Sequence, residues 1–186
     1  MAELTIRPCD PERDMQRLMS LDVTYLSHGC LLVEEFQQGL ALVEQSWGAP
    51  HSLTFPIDLA TPKGKVSWVA EFNERLVGLI SVEFQEWNRR LSIWDFYVDA
   101  AKRKQGIGRR LIQVAVDYGT TAGAKVAWAE TSNCNLPGIE AYKRLGFHVC
   151  GFDASLYCGA LAKGQFAVFL ARELTPDTRL ALRSES

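Results

Sequence analysis

The sequence predicts an α/β fold, a mixed and largely antiparallel sheet flanked by helices, in a single domain spanning residues 1–186. Two observations carry this prediction. Residues 66–98 hold three runs rich in β-branched and aromatic side chains, separated by short polar turns at 73–75 and 88–90, which is the pattern of an antiparallel meander. The last run leads into the glycine turn Arg103-Lys104-Gln105-Gly106-Ile107-Gly108, after which Ile107, Leu111, Ala115 and Tyr118 recur at helical spacing.

In chain order, Leu4-Thr5-Ile6-Arg7-Pro8 reads as a first strand. Asp10-Pro11 supplies a helix N-cap and a proline at the first helical position, opening a helix toward Leu26. A second helix is expected over residues 33–47, with Phe36, Leu40 and Val43 on one face and Gly48-Ala49-Pro50 ending it. Residues 51–65, which include Pro56 and Pro62, read as a loop long enough to serve a binding site. Strands follow at 66–72, 76–87 and 91–98, then the helix from the glycine turn, a strand at 124–130 and a short helix at 136–145. Two more strands are expected near 147–153 and 165–174, and residues 175–186 read as a frayed tail.

Composition narrows the function. An apolar content of 47% is enough for a full core. A net charge of −2 and a pI near 5.9 argue against a general nucleic-acid binder, because the basic residues are concentrated locally. Cys9, Cys30, Cys134, Cys150 and Cys158 make an odd set without a C-x-x-C pair, and the N-terminus shows no charged-then-apolar signal pattern. A reduced cytoplasmic protein is therefore expected. His28, His51 and His148 are scattered without ligand spacing, so no metal is expected. No apolar run approaches the roughly 20 residues that cross a membrane.

The glycine turn carries the chemistry. A helix N-terminus presents unpaired N–H groups and partial positive charge, so first turns usually attract Asp and Glu. Here Arg103, Lys104, Arg109 and Arg110 crowd the turn, and no carboxylate occurs between Ala100 and Asp117. An external anion would balance this arrangement, and Gly106 and Gly108 would let its oxygens approach the backbone. A phosphorylated ligand fits that description.

Two motifs in this order resemble the GNAT superfamily of acyl-CoA-dependent N-acyltransferases, over residues 66–174. Arg103-Lys104-Gln105-Gly106-Ile107-Gly108 fits Q/R-x-x-G-x-G/A, and Asn135, Gly138, Tyr142, Gly146 and Phe147 fit N-x-x-A/G-x-x-x-Y-x-x-x-G-F. The resemblance implies that the sheet opens in a V between the strands carrying Phe96-Tyr97-Val98 and Trp128-Ala129-Glu130, with the thioester of acetyl-CoA in the gap. It implies that backbone groups of Phe96, Tyr97 and Val98 pair with the pantetheine arm. Gln105, Gly106, Ile107, Gly108 and Arg109 would cradle the pyrophosphate, while Arg103, Lys104 and Arg109 meet phosphates and Asn135 joins the cofactor set. Tyr142 stands where the family keeps the acid that protonates the departing thiolate. Cys134 and Cys150 are weaker alternatives for that role. Glu130 is the candidate base, with Glu83, Asp95 or a water relay as alternatives.

Residues 146–157 fit G-F-x-x-x-G-F-D-x-x-L-Y and are similar to the streptothricin acetyltransferase branch. That resemblance implies a small polyamine-like antibiotic as acceptor, antibiotic resistance as the outcome, and Glu83, Asp95 and Asp153 as partners of its ammonium groups. A turn cap at Asp153 and a packing role for Tyr157 are the structural alternatives. Gly138 departs from the branch, which commonly has Ala there, at a helix-propensity cost of about 1 kcal/mol. A peptide or protein amine, or a non-catalytic CoA-binding module, are the competing readings, and a homodimer is left open.

Overall fold

The computed structural model describes residues 4–54, 64–157 and 164–174. Their elements are β1 (Leu4–Pro8), α1 (Pro11–Leu18), β2 (Tyr25–Phe36), β3 (Gly39–Leu53), β4 (Val66–Phe72), β5 (Arg75–Gln85) and β6 (Arg90–Val98). A short 3-10 turn at Ala100–Lys102 precedes α2 (Ile107–Ala122), β7 (Val126–Ser132), α3 (Leu136–Arg144), β8 (His148–Asp153) and β9 (Ala167–Glu173). Seven strands form one sheet in the order β1-β4-β5-β6-β7-β9-β8, and β2 and β3 form a separate hairpin. Within the large sheet only β6 and β7 run parallel, joined by α2 as a crossover.

Alternation along the strands sends neighbouring side chains to opposite faces. Ala70, Ile80, Leu91, Ile93, Ala127 and Ala129 meet Ile107, Leu111, Ile112 and Ala115 of α2 and Ile139 of α3 on one face. Val69, Leu76 and Leu79 meet Leu18 and Leu21, at and beyond the end of α1, on the other. Asp10 caps α1 by accepting from the amides of Glu12 and Arg13. Inside α1, the fully buried Asp14 accepts from Arg7 at 2.6 and 2.8 Å and from Arg17 at 3.0 Å, while Glu71 of β4 takes Arg7 at 2.7 Å and Arg17 at 2.6 Å. This network fastens α1 to the β1–β4 edge.

The meander at 66–98 and the alternation that follows are as the sequence predicts. The expected helix over 33–47 is instead the β2–β3 hairpin, turning at Gln37 and Gln38, with Leu32 opposite Val43 and Val33 opposite Leu42. The helical spacing of Phe36, Leu40 and Val43 misleads, because all three are exposed. The residues that pack on the core are Leu31, Val33 and Leu42, which follow a period of two. Helix α1 stops at Leu18 rather than running to Leu26, and β3 takes in residues 51–53 of the expected loop. Residues 55–63, Cys158 and the expected tail at 175–186 lie outside the described residues. Among the described residues, no helix is long and apolar enough to cross a membrane.

The Arg7 guanidinium and a backbone hydrogen bond hold the Asp14 carboxyl down, from 3.8 to about 2. A carboxylate depressed in this way stabilises the fold above its unfolded value and loses that contribution as pH falls through the folded one. Asp14→Asn should therefore cost on the order of 2 kcal/mol at neutral pH. In denaturant unfolding, the gap between wild type and variant should close between about pH 4 and pH 2. A gap that persists unchanged to pH 2 would show that Asp14 does not set it.

Candidate active site

The site begins where a strand pair stops pairing. The parallel ladder runs from Arg90 opposite Val126 to Ile93 opposite Ala129, although β6 continues to Val98 and β7 to Ser132. On the other side of β6, the register with β5 slips from Val82 opposite Ile93 to Ser81 opposite Asp95. Trp94 is the extra residue of a β-bulge, and a bulge bends the strand that carries it. Beyond Ile93, β6 stays paired to β5 and leaves β7. A cavity of about 490 Å³ occupies the opening. Its walls include Phe96, Tyr97 and Val98 of β6, Glu130, Thr131 and Ser132 of β7, and Tyr142 of α3.

The glycine turn forms one end. Gly106 is the N-cap of α2 at φ 81°, a left-handed conformation that favours glycine, and a Cβ built on it meets nothing within 4 Å. The first turn of α2 has no acidic residue and no side-chain cap. Its leading N–H groups therefore open toward the cavity, which Lys104, Gly106, Ile107, Gly108, Arg109 and Arg144 also line. Arg103 lines it as well, but its guanidinium donates to the carbonyls of Val98 at 3.0 Å and Thr24 at 2.5 Å, tying the end of β6 to the segment before β2. Gln105 is exposed, with its side-chain amide donating to the Ala101 carbonyl at 3.5 Å.

Helix α3 presents Tyr142. Asn135 caps this helix, accepting from the Gly138 amide at 3.0 Å and donating to Thr131 Oγ1 at 2.9 Å, so its side chain joins β7 to α3 at the cavity wall. A Cβ at position 138 would lie 2.3 Å from that Asn135 amide. An alanine here would make the Asn135 side chain shift from its present position. Tyr142 packs against Phe96, with ring centroids 5.6 Å apart, and against Phe147 at 5.2 Å. Burial pushes its phenol well above the usual tyrosine range, and Tyr97, Glu130 and Asp95 add to the shift. Tyr97 is pushed up in the same way, by burial and then by Asp95 and Glu130. Both phenols stay protonated, and the four groups share one electrostatic neighbourhood.

The carboxylates divide. Glu130 lines the cavity and accepts a hydrogen bond from the Tyr157 phenol on Oε1. Asp95 is buried, accepting from Ser81 Oγ, and is not among the lining residues. Glu83 pairs with Lys65 at 2.6 Å and accepts from the Trp94 indole at 3.2 Å. Asp153 caps a turn through the Ser155 amide at 2.8 Å and hydroxyl at 2.7 Å. Neither Glu83 nor Asp153 lines the cavity. Cys134 is buried beside Cys30, its thiol pushed up to about 11, chiefly by burial. Among the described residues no cluster of His, Cys, Asp and Glu could hold a metal ion.

The structure adds wall residues that the sequence reading did not single out: Val23, Tyr25, Trp94 and Arg144. Tyr25, pushed up to about 12 by burial, opens β2. The alternation of that strand was the available signal, hidden because Phe36, Leu40 and Val43 match a helical stripe.

Comparison with known proteins places this geometry. The sequence model of the Acetyltransferase (GNAT) family matches residues 31–147. Streptothricin acetyltransferase of Streptomyces lavendulae is 31% identical over 168 residues, covering 85% of this chain and 89% of its own. The crystal structure of nourseothricin acetyltransferase superposes with a TM-score of 0.84 at 30% identity, over 92% of this chain and 99% of its own. A Bacillus anthracis protein assigned as a streptothricin acetyltransferase, solved with acetyl coenzyme A, shares the fold with a TM-score of 0.76 at 20% identity, over 92% and 99% of the two chains. A family match over more than half the chain, on a sheet that opens at the expected strands, makes this protein a member of the GNAT acetyltransferase family.

Proposed function

We propose that the protein transfers the acetyl group of acetyl-CoA to a primary amine of a small cationic molecule of the streptothricin kind. The observation that carries this is the charge make-up of one cavity. Lys104, Arg109, Arg144 and the uncapped start of α2 bring basic and N–H groups to its wall, and Glu130, held by the Tyr157 phenol and near that of Tyr97, lines the same cavity. Basic groups and free N–H donors suit the phosphates of CoA. A carboxylate on a wall that also carries aromatic side chains suits an ammonium group. The 31% identity to a streptothricin acetyltransferase supports the acceptor class.

Acetyl-CoA supplies an activated thioester. In this reading, the β7-facing backbone of Phe96, Tyr97 and Val98 holds the pantetheine arm, because beyond Ile93 that edge has left its partner strand. Gln105, Gly106, Ile107, Gly108 and Arg109 receive the phosphates. Glu130 takes the proton that the amine must lose before or as its nitrogen bonds to the acetyl carbon. Tyr142, kept neutral by burial, donates to the sulfur as the carbon–sulfur bond breaks. Glu83, Asp95 and Asp153 do not line the cavity, so Glu130 is the carboxylate assigned to the reacting amine. Asp95 acts through its field on the two phenols. The unpaired thiols of Cys9, Cys30, Cys134 and Cys150 suit a reducing cytoplasm.

Thiol release from acetyl-CoA, measured against streptothricin, aminoglycosides, polyamines, amino acids and peptide N-termini, tests the acceptor. Turnover should concentrate on streptothricin. Turnover on peptides alone would favour a peptide acetyltransferase, and acetyl-CoA binding with no release from any amine would favour a CoA-binding module. Tyr142→Phe should leave acetyl-CoA affinity unchanged and slow kcat by about 100- to 10,000-fold. An unaltered kcat would remove Tyr142 from the mechanism.

A further inference from the structure

Glu130 is held from outside its own strand. In the ladder, Glu130 of β7 faces Phe169 of β9, and Phe169 faces Gly151 of β8. Beyond β8, the Asp153 carboxylate takes both the amide and the hydroxyl of Ser155, which turns the chain. Tyr157 follows this turn and returns across β9, where its phenol donates to Glu130 Oε1 at the cavity wall. The G-F-D-x-x-L-Y run is thus a device that delivers one hydroxyl to one carboxylate oxygen.

We propose that Tyr157 is a positioning residue for Glu130, fixing the orientation of its carboxylate in the splay and favouring its ionised form. This rests on the reading of Glu130 as proton acceptor. A carboxylate on a long side chain has several rotamers, and a donor on Oε1 selects the one that faces the cavity. The same hydrogen bond opposes protonation, because a phenol donates more strongly to a charged carboxylate than to a neutral carboxyl. That assistance matters at this wall. The phenols of Tyr97 on β6 and Tyr142 on α3 lie in the field of Glu130, Tyr25 of β2 lines the same cavity, and β9 sets the uncharged Phe169 opposite it in the ladder. A carboxylate on a wall lined by aromatic side chains has lost part of its hydration, and Tyr157 supplies a donor in its place.

The test is the titration of the Glu130 carboxyl carbon by NMR in wild type and in Tyr157→Phe, with the Glu130 signal identified by its loss in Glu130→Gln. It needs no acceptor substrate. Tyr157→Phe should raise the titration midpoint by about one pH unit, and the acid limb of kcat/KM for streptothricin should move upward with it. A midpoint unchanged by Tyr157→Phe overturns the proposal. If Tyr157→Phe does not fold, fluorotyrosine at position 157, a stronger donor that keeps the ring, should lower the midpoint, and no change again overturns it. An acid limb that survives in Glu130→Gln would instead overturn Glu130 as proton acceptor, and with it the catalytic meaning of Tyr157. A shifted NMR midpoint would tell that failure from the first.

Discussion

Everything in the site depends on the parallel pair β6–β7 ending early. A parallel strand pair in the middle of a sheet ordinarily carries its ladder as far as both strands extend, because each unpaired buried N–H or C=O is costly. Here the ladder ends at Ile93 and Ala129, and the bulge at Trp94 turns the rest of β6 aside while β5 continues to hold it. The result is an open strand edge inside the protein. Alternation then sorts the side chains: Phe96 and Val98 go to the face of α2 and α3, and Tyr97 goes to the face of α1, where Leu79 and Val69 receive it. Both faces thereby reach the same opening.

The charges follow the geometry. Helix α2 begins at a glycine in a left-handed turn with basic neighbours and no carboxylate, so its N-terminal field points at the opening without neutralisation. Across the opening, Asp95 is buried and satisfied by Ser81, while Glu130 reaches the wall and is met by Tyr157. Burial, with Glu130 and Asp95 adding to it, holds the phenols of Tyr97 and Tyr142 neutral. Neutral phenols can donate protons or hydrogen bonds, and an ionised Glu130 can accept them. The division of roles proposed for Glu130 and Tyr142 therefore follows from their different access to solvent. Asn135 supports it mechanically by capping α3 and hydrogen bonding to Thr131, which fixes the helix bearing Tyr142 to the strand bearing Glu130.

The parts of this arrangement that the sequence made legible are those governed by local rules. Asp10-Pro11 stated a helix start, the polar turns at 73–75 and 88–90 stated a meander, and the glycines of 103–108 stated a strand-to-helix junction open to an anion. The parts it hid are set by long-range partners. Phe36, Leu40 and Val43 fit a helical stripe, and only contact with the core reveals that Leu31, Val33 and Leu42 are the buried set of a hairpin. Glu83, Asp95 and Asp153 were equivalent carboxylates in sequence. Lys65 and Ser81, 18 and 14 residues away, decided the fates of Glu83 and Asp95, while Asp153 took the local turn cap with Ser155 that the sequence had offered as an alternative. Tyr157 was readable as part of a motif, yet its pairing with Glu130, 27 residues earlier, required the fold of β8 and β9.

The central claim is that the split between β6 and β7 is the slot for the acyl donor. Backbone amide hydrogen exchange with and without acetyl-CoA tests it most directly. The account predicts slowed exchange at Phe96, Tyr97 and Val98 together with Gly106, Ile107 and Gly108. Saturable binding that leaves both segments unchanged would contradict it.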